Sequence, residues 1–142
     1  MKRVLKIVIL LILLAIAGIL IELTAFRGRT PAIRGSQDDI ASLETVRLGG
    51  TDQWILIRGR HRTAPVVLFL HGGPGMPVMF LAHAFQRPLE NDFVVVHWDR
   101  RGAGKSYSAG TTGEITVRKT LDETFELTRM LQKRFNRERI HL

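Results

Sequence analysis

The residues best suited to chemistry form a glycine-rich turn, His71-Gly72-Gly73-Pro74-Gly75. It follows the run Val66–Leu70, whose apolar, β-branched and aromatic residues favour a strand buried on both faces of a parallel sheet. Three glycines and a proline in five residues cannot continue that strand, and few side chains screen their backbone N–H groups. Such a turn can stabilise a negatively charged oxygen, or it can simply reverse the chain.

A second loop of glycine and polar residues follows another apolar run. Residues 93–98 predict a second buried strand, and the sequence after it is Asp99-Arg100-Arg101-Gly102-Ala103-Gly104-Lys105-Ser106. Both loops would therefore lie at the carboxyl ends of buried strands, where open α/β sheets build their sites. The end of this loop also imitates a phosphate-binding P-loop. That motif needs a glycine where Asp99 stands, so nucleotide binding is excluded.

The remaining segments predict how the two loops are positioned. Strand-like residues 44–48 and 53–58 flank a Gly-Gly turn and predict an antiparallel hairpin. A helix is expected over 78–86, and a longer one over 116–136. The apolar stripe of the longer helix is expected to pack on the sheet; it comprises Val117, Leu121, Phe125, Leu131 and Phe135. With the start of a further strand at 139–142, the pattern predicts an α/β fold with a parallel sheet and flanking helices.

The two loops together resemble the α/β-hydrolase superfamily and, within it, the proline iminopeptidase-like branch of serine peptidases. Members of that branch carry an HGGPG turn and, one strand later, an Asp-x-Arg-Gly-x-Gly-x-Ser loop. The resemblance covers residues 44–142 and implies the amino-terminal part of an α/β-hydrolase fold. It implies that Gly73 supplies one backbone N–H of an oxyanion hole. The other motif residues would build the loops, with Asp99 and Arg101 as a charged pair: His71, Gly72, Pro74, Gly75, Asp99, Arg101, Gly102, Gly104 and Ser106.

The same resemblance limits the expected function. It implies a serine hydrolase that cleaves a small ester, amide or short peptide through an acyl-enzyme, without a cofactor or a metal. In that family the Gly-x-Ser-x-Gly nucleophile, the cap domain, the acid and the base histidine come later than residue 142. His71 is therefore not expected to be the base, and Ser106 lacks the sequence frame of the nucleophile. We expect a truncated chain that is inactive alone. The alternatives are a site completed by another chain and a non-enzymatic, membrane-anchored scaffold or interaction protein that retains the turn.

Composition excludes several other functions. The net charge of +8 is concentrated in residues 1–36, which carry six basic residues and one acidic residue, and the remaining charges are interspersed. Nucleic-acid binding is therefore not expected. The absence of cysteine excludes disulfides, thiolate metal sites and a cysteine nucleophile. No metal site is expected either, because four of the histidines lack metal-ligand spacing: His61, His83, His97 and His141.

Residues 1–26 predict a transmembrane anchor or a signal segment. Residues 7–21 are an unbroken apolar run after three basic residues, so lipid contact is expected through residues 7–26. Ala15-Ile16-Ala17 fits signal cleavage, which would give a secreted or periplasmic protein, but cleavage there would leave an apolar terminus. We therefore favour an uncleaved single-pass anchor, followed by a linker over 27–43 and a partial α/β-hydrolase domain over 44–142.

Overall fold

The computed structural model describes residues 2–25, 28–33, 35, 37–72, 75–108 and 113–142. The chain divides into two compact units, Met1–Thr30 and Pro31–Leu142. The first contains helix α1, Lys2–Ala25, and its large apolar side chains from Ile7 to Ile21 are exposed. Among the described parts of the chain, no helix is long and apolar enough to cross a membrane. The expected transmembrane or signal helix therefore lacks structural support, and the boundaries proposed for anchor and linker stay predictions.

The second unit is built on a four-stranded sheet with the strand order β1-β2-β4-β3. Its strands are β1 (Ile40–Leu48), β2 (Thr51–Gly59), β3 (Val66–Leu70) and β4 (Val94–Asp99). The predicted hairpin is confirmed, and its turn residues Gly49 and Gly50 have φ angles of 52° and 81°, which only glycine adopts readily. Strand β2 pairs antiparallel with β4, whereas β3 pairs parallel with β4. The sheet is therefore mixed, because the hairpin joins the parallel pair through β2.

The end of the chain adds one further contact to this sheet. His141 forms an isolated parallel bridge with Val67. The His141 N–H donates to Val66 O over 2.8 Å, and the Leu68 N–H donates to His141 O over 2.9 Å. The strand predicted over 139–142 is thus present as a single residue pair, on the edge of β3 that faces away from β4.

The helix expected over 78–86 is broken into short pieces. A 3-10 turn at Met79–Leu81 leads into α2 (Ala82–Phe85), and a second 3-10 turn covers Arg87–Asn91. Neither Val78 nor Leu81 caps the helix that follows it with a side-chain hydrogen bond. Pro88 also has no N–H to donate to Ala84 O, so α2 cannot continue through it. Local sequence therefore stops a continuous helix here.

Helix α3, Val117–Phe135, confirms the longer predicted helix and has a capping residue at each end. The Thr116 hydroxyl accepts a hydrogen bond from the Lys119 N–H over 3.1 Å, which satisfies a donor that the helix leaves unpaired. Asn136 ends the helix in the left-handed conformation, with φ 50° and ψ 53°, and its N–H donates to Gln132 O.

The predicted packing stripe of α3 is wrong for three of its residues. Val117, Leu121 and Phe125 have 79%, 50% and 63% of their surface exposed. Leu131 is buried as predicted, and Phe135 packs against the core at its edge. The helix turns Glu123 and Leu127 toward the sheet, because Glu123 forms a buried ion pair with Arg101. The face of α3 that packs on the sheet is therefore rotated away from the predicted stripe and includes an acidic residue.

The sheet carries an apolar cluster on each face. The larger cluster lies under α3, where Leu127 and Leu131 belong to one buried cluster with residues of all four strands. The smaller cluster joins Leu56 of β2 to Met79 and Ala82. Because strand residues alternate between the two faces, both clusters include residues from β2.

His97 of β4 lies within this core, with 1% of its surface exposed. Its ring stacks on Phe69 at a centroid distance of 5.0 Å, and Nε2 is hydrogen-bonded to Gln86 Oε1. Nδ1 is buried and has no hydrogen-bond partner among the described residues. Burial, and to a smaller extent the neighbouring His83, lower the pKa of His97 to about 4.

This burial predicts a loss of stability in acid. The unfolded chain binds a proton at His97 near the ordinary pKa of 6.5, whereas the folded chain does so only near about 4. The free energy of unfolding should therefore fall as the pH is lowered through that window, by on the order of 3 kcal/mol from His97. Urea unfolding of the full chain across the window measures this fall.

The test variant is His97→Gln, which removes the titrating group. The pH dependence should be shallower in His97→Gln than in the wild type. Equal pH dependence in the wild type and His97→Gln would contradict the assignment.

Candidate functional site

The first candidate loop begins where β3 ends. His71 is 5% exposed, and Gly75 has a φ of 78°, which suits a glycine at this turn. Gly73 and Pro74 lie outside the described residues. The assignment of the Gly73 N–H to an oxyanion hole therefore stays a prediction.

The second candidate loop is organised around Asp99, the last residue of β4. Its Oδ2 accepts a hydrogen bond from the Lys105 N–H over 2.8 Å, and its backbone oxygen accepts one from the Ser106 hydroxyl. Ser106 Oγ also accepts from the Trp54 N–H over 2.7 Å. The Ser106 hydroxyl thus connects the loop to β2, which is a structural arrangement and leaves it poorly placed to act as a nucleophile.

Two glycines of this loop have conformations that other residues rarely adopt. Gly102 has a φ of 73° and Gly104 a φ of 51°. At Gly104 a Cβ would overlap the Asp99 carboxylate. Two constraints therefore require glycine at position 104: the positive φ angle and the close approach of the Asp99 carboxylate.

The Asp99 carboxyl is strongly desolvated. Burial raises its pKa, and the hydrogen bond from the Lys105 N–H offsets part of this effect. Oδ1 is buried without a hydrogen-bond partner among the described residues. The Asp99 side chain therefore holds the loop through one carboxylate oxygen, while the other is buried.

Arg101 fixes the same loop to two other elements. Its guanidinium forms an ion pair with Glu123 of α3 and donates to Gly49 O in the hairpin turn over 2.8 Å. Its backbone N–H donates to Gln53 Oε1 over 2.8 Å. Sequence reasoning paired Arg101 with Asp99, but the ion pair that the structure displays reaches α3. The spacing of charges along the sequence did not indicate this contact.

The two loops meet through His71 and Arg100. Two N–H groups of Arg100, the backbone one and Nε–H, each lie 3.3 Å from His71 Nε2. Sequence reasoning missed Arg100. The contact depends on the parallel register, which pairs Leu70 with Trp98 and so brings the first residues beyond the two strands together, and neither loop sequence indicates that register.

The His71 ring favours its neutral form. Burial lowers its pKa, the positive charge of Arg100 lowers it further, and a contact with Gly72 O and the charge of Asp99 act in the opposite direction. Nε2 faces two N–H groups of Arg100, whereas Nδ1 faces one, Nη2, and the acceptor Gly72 O, each at 3.4 Å, so the neutral ring carries its proton on Nδ1. His71 therefore connects the loops, and its Nε2 lone pair is already engaged.

A cavity of about 560 Å³ opens beside this contact. It lies between the two loops and the first turns of α3, and its lining includes His71, Gly75, Arg100, Thr116, Leu121 and Glu123. This volume lies in the range of small-molecule sites. Within the part of the chain that the structure describes, no group of three or more histidine, aspartate or glutamate residues is arranged to hold a metal ion.

The geometry at Gly104 predicts a specific sensitivity to substitution. Gly104→Ala should destabilise the full chain by about 1–3 kcal/mol more than Gly50→Ala. Both glycines have positive φ angles, but an added Cβ at Gly50 has no atom within 4 Å, whereas one at Gly104 meets Asp99. Urea unfolding measures the difference, and equal losses in the two variants would show that the contact with Asp99 carries no cost.

Comparison with known proteins indicates the kind of protein that this site belongs to. No family model matches the chain. The chain is 36% identical over 104 residues to YbaC of Bacillus subtilis (strain 168), a probable aminopeptidase, and this match covers 72% of the chain and 33% of YbaC.

A solved structure is also similar. The crystal structure of TTHA1809, a proline iminopeptidase-related protein from Thermus thermophilus, matches with a TM-score of 0.56 and 27% identity, over 71% of this chain and 34% of that one. The chain thus spans about a third of the length of both relatives. Together the similarities indicate an α/β-hydrolase-like relationship.

Proposed function

We propose that this chain provides the oxyanion-stabilising part of a serine-hydrolase site that cleaves ester, amide or peptide bonds. The observation that carries the proposal is the meeting of the two motif loops at the carboxyl ends of the parallel strands β3 and β4, through His71 and Arg100. Open α/β sheets place their sites at this edge. The names of the two relatives, an aminopeptidase and a proline iminopeptidase-related protein, agree with this reaction class and with proline iminopeptidase-like chemistry.

In the proposed reaction Gly73 has the central role. Attack on a carbonyl produces a tetrahedral intermediate that carries negative charge on its oxygen. A fixed backbone N–H in a site that excludes water stabilises that charge, and the loss of one such donor typically costs about 3 kcal/mol of barrier. Gly73 is the residue that the motif assigns as this donor, and His71 anchors the start of its turn.

We further propose that the serine, the acid and the base come from polypeptide outside these 142 residues. No serine in the sequence lies in a Gly-x-Ser-x-Gly frame. The exposed apolar stripe of α3, Val117, Leu121 and Phe125, supports the proposal, because a contiguous apolar surface of this kind suits a contact with further polypeptide.

The position of that stripe fits the same proposal. Glu126 accepts from the Gly49 N–H over 2.8 Å and Arg134 pairs with Glu44, so this flank of α3 faces the hairpin. At 100° per residue, Val117 and Leu121 lie on the other flank, toward β3. The edge of β3 there is bridged by His141. A strand and a helix added at this side would extend the sheet and cover the stripe.

A chimera tests the role of Gly73. Residues 37–142 of this chain would replace the matching segment of YbaC, and hydrolysis of aminoacyl p-nitroanilides and p-nitrophenyl esters would be measured. The chimera should be active, and Gly73→Pro should lower its kcat by roughly 10²–10³-fold because proline has no N–H. The 142-residue chain alone should not exceed the buffer rate.

The matched control is Gly72→Ala, since a Cβ at Gly72 has no atom within 4 Å. Its kcat should stay within a few-fold of the parent chimera, and urea unfolding of both variants checks that they fold. Undiminished kcat in Gly73→Pro would refute the oxyanion role. Hydrolysis by the 142-residue chain alone would refute the external origin of the triad, and a chimera that folds but is inactive would favour the non-enzymatic scaffold.

We also propose that helix α1 binds lipid. It has no charged residue from Ile7 to Ile21, and its large side chains there are apolar and exposed. The full chain should float with phosphatidylcholine vesicles in a density gradient. The double variant Ile12→Lys and Ile16→Lys should reduce the bound fraction at least about tenfold, because each lysine is costly to place among acyl chains.

The control for this experiment is Phe85→Lys, which adds a charge at an exposed apolar residue of the second unit. Its flotation should equal that of the wild type. A wild-type chain that stays at the bottom of the gradient, or equal flotation of the double-lysine variant, would contradict lipid binding through α1.

A further inference from the structure

We propose that Arg100 is a positioning residue: its N–H groups hold the neutral His71 ring and thereby fix the start of the glycine-rich turn, His71 and Gly72, against the loop that follows β4. The contact itself stands on geometry alone. Its consequence for catalysis, the placement of an oxyanion donor, rests on the proposed function.

The geometry of the contact selects one form of the ring. Nε2 faces both the backbone N–H and the Nε–H of Arg100, each at 3.3 Å, and so must be the unprotonated nitrogen. Nδ1 lies 3.4 Å from Arg100 Nη2 and also 3.4 Å from Gly72 O, and because Gly72 O is the acceptor there, Nδ1 carries the proton. This is the less common tautomer of a neutral histidine in water, so its presence is a specific signature of the contact.

Protonation of the ring would break the contact. A proton on Nε2 would face two N–H groups of Arg100, and the ring would carry a positive charge next to the guanidinium. Burial and Arg100 both lower the pKa of His71, so the contact is present above that lowered value and is lost as the pH falls through it.

The other charged groups near His71 do not reverse this balance. From the β4 loop, Asp99 favours the charged ring, but less than burial and Arg100 oppose it. Arg101 of the same loop and Glu123 of α3 form an ion pair with each other. Lys119 of α3 also lines the cavity and adds positive charge. The surroundings of His71 therefore favour the neutral ring.

Two substitutions of His71 test whether the hydrogen-bond acceptor at Nε2, and not the ring as such, holds the contact with Arg100. A glutamine can place an acceptor oxygen near the position of Nε2 and does not titrate, whereas alanine offers no acceptor. Amide hydrogen exchange, followed by mass spectrometry on the full chain, would compare peptides over residues 70–76 and 94–99 at about pH 8 and about pH 5, with correction for intrinsic exchange.

At the higher pH, the 70–76 peptide of His71→Gln should exchange like the wild type, and that of His71→Ala about tenfold faster. At the lower pH the wild type should approach His71→Ala, while His71→Gln should keep its protection. The buried 94–99 peptide should be unaffected throughout. Wild-type protection in His71→Ala, or an equal loss in the wild type and His71→Gln at low pH, would overturn the proposal.

An NMR measurement on the ¹⁵N-histidine-labelled full chain tests the contact directly in the wild type. The wild type should have His71 protonated on Nδ1 at high pH. Arg100→Ala should raise the pKa of His71 toward the ordinary value of 6.5, and Arg62→Ala, which removes an exposed positive charge elsewhere, should not. Protonation on Nε2 in the wild type, or an unchanged pKa in Arg100→Ala, would overturn the proposal. None of these readouts requires hydrolysis, so failure here and failure of the proposed function are distinguishable.

Discussion

The geometry of the candidate site depends on the contacts of the buried Arg101 side chain. It joins the loop after β4 to Glu123 of α3 and to the hairpin turn at Gly49, while its backbone N–H is held by Gln53. Loss of either charge would leave the other buried without compensation, which typically costs about 3–5 kcal/mol. Three elements that are distant in the sequence are therefore held in one arrangement around the loop that carries Arg100.

That ion pair also explains the open face of the domain. With Glu123 turned toward the sheet, the rotation of α3 is fixed, and Leu127 and Leu131 supply its core contacts. Val117, Leu121 and Phe125 are then left outside, although they are apolar. The proposed contact with further polypeptide rests on this exposed apolar surface.

Most elements of the fold were predictable because local signals agreed with each other. Apolar runs ended at glycine turns for β3 and β4, and polar residues at 116 and 136 marked the ends of α3. The inward position of Glu123 was not predictable, since periodicity counts apolar residues and cannot identify a buried ion-pair partner in another loop. The contact of His71 with Arg100 depends on strand register, which the sequence of either loop does not contain. The oxyanion role of Gly73 came from resemblance and stays a prediction.

The titrating groups around the ends of β3 and β4 share one property. Burial lowers the pKa of His71 and of His97, and it raises the pKa of Asp99. In each case burial shifts the pKa in the direction that favours the uncharged form, as expected where water is scarce and the local dielectric is low. For the proposed reaction, such surroundings would strengthen the interaction of an oxyanion with nearby donors. They suit a histidine base poorly at His71, because a base must accept a proton that burial and Arg100 both oppose.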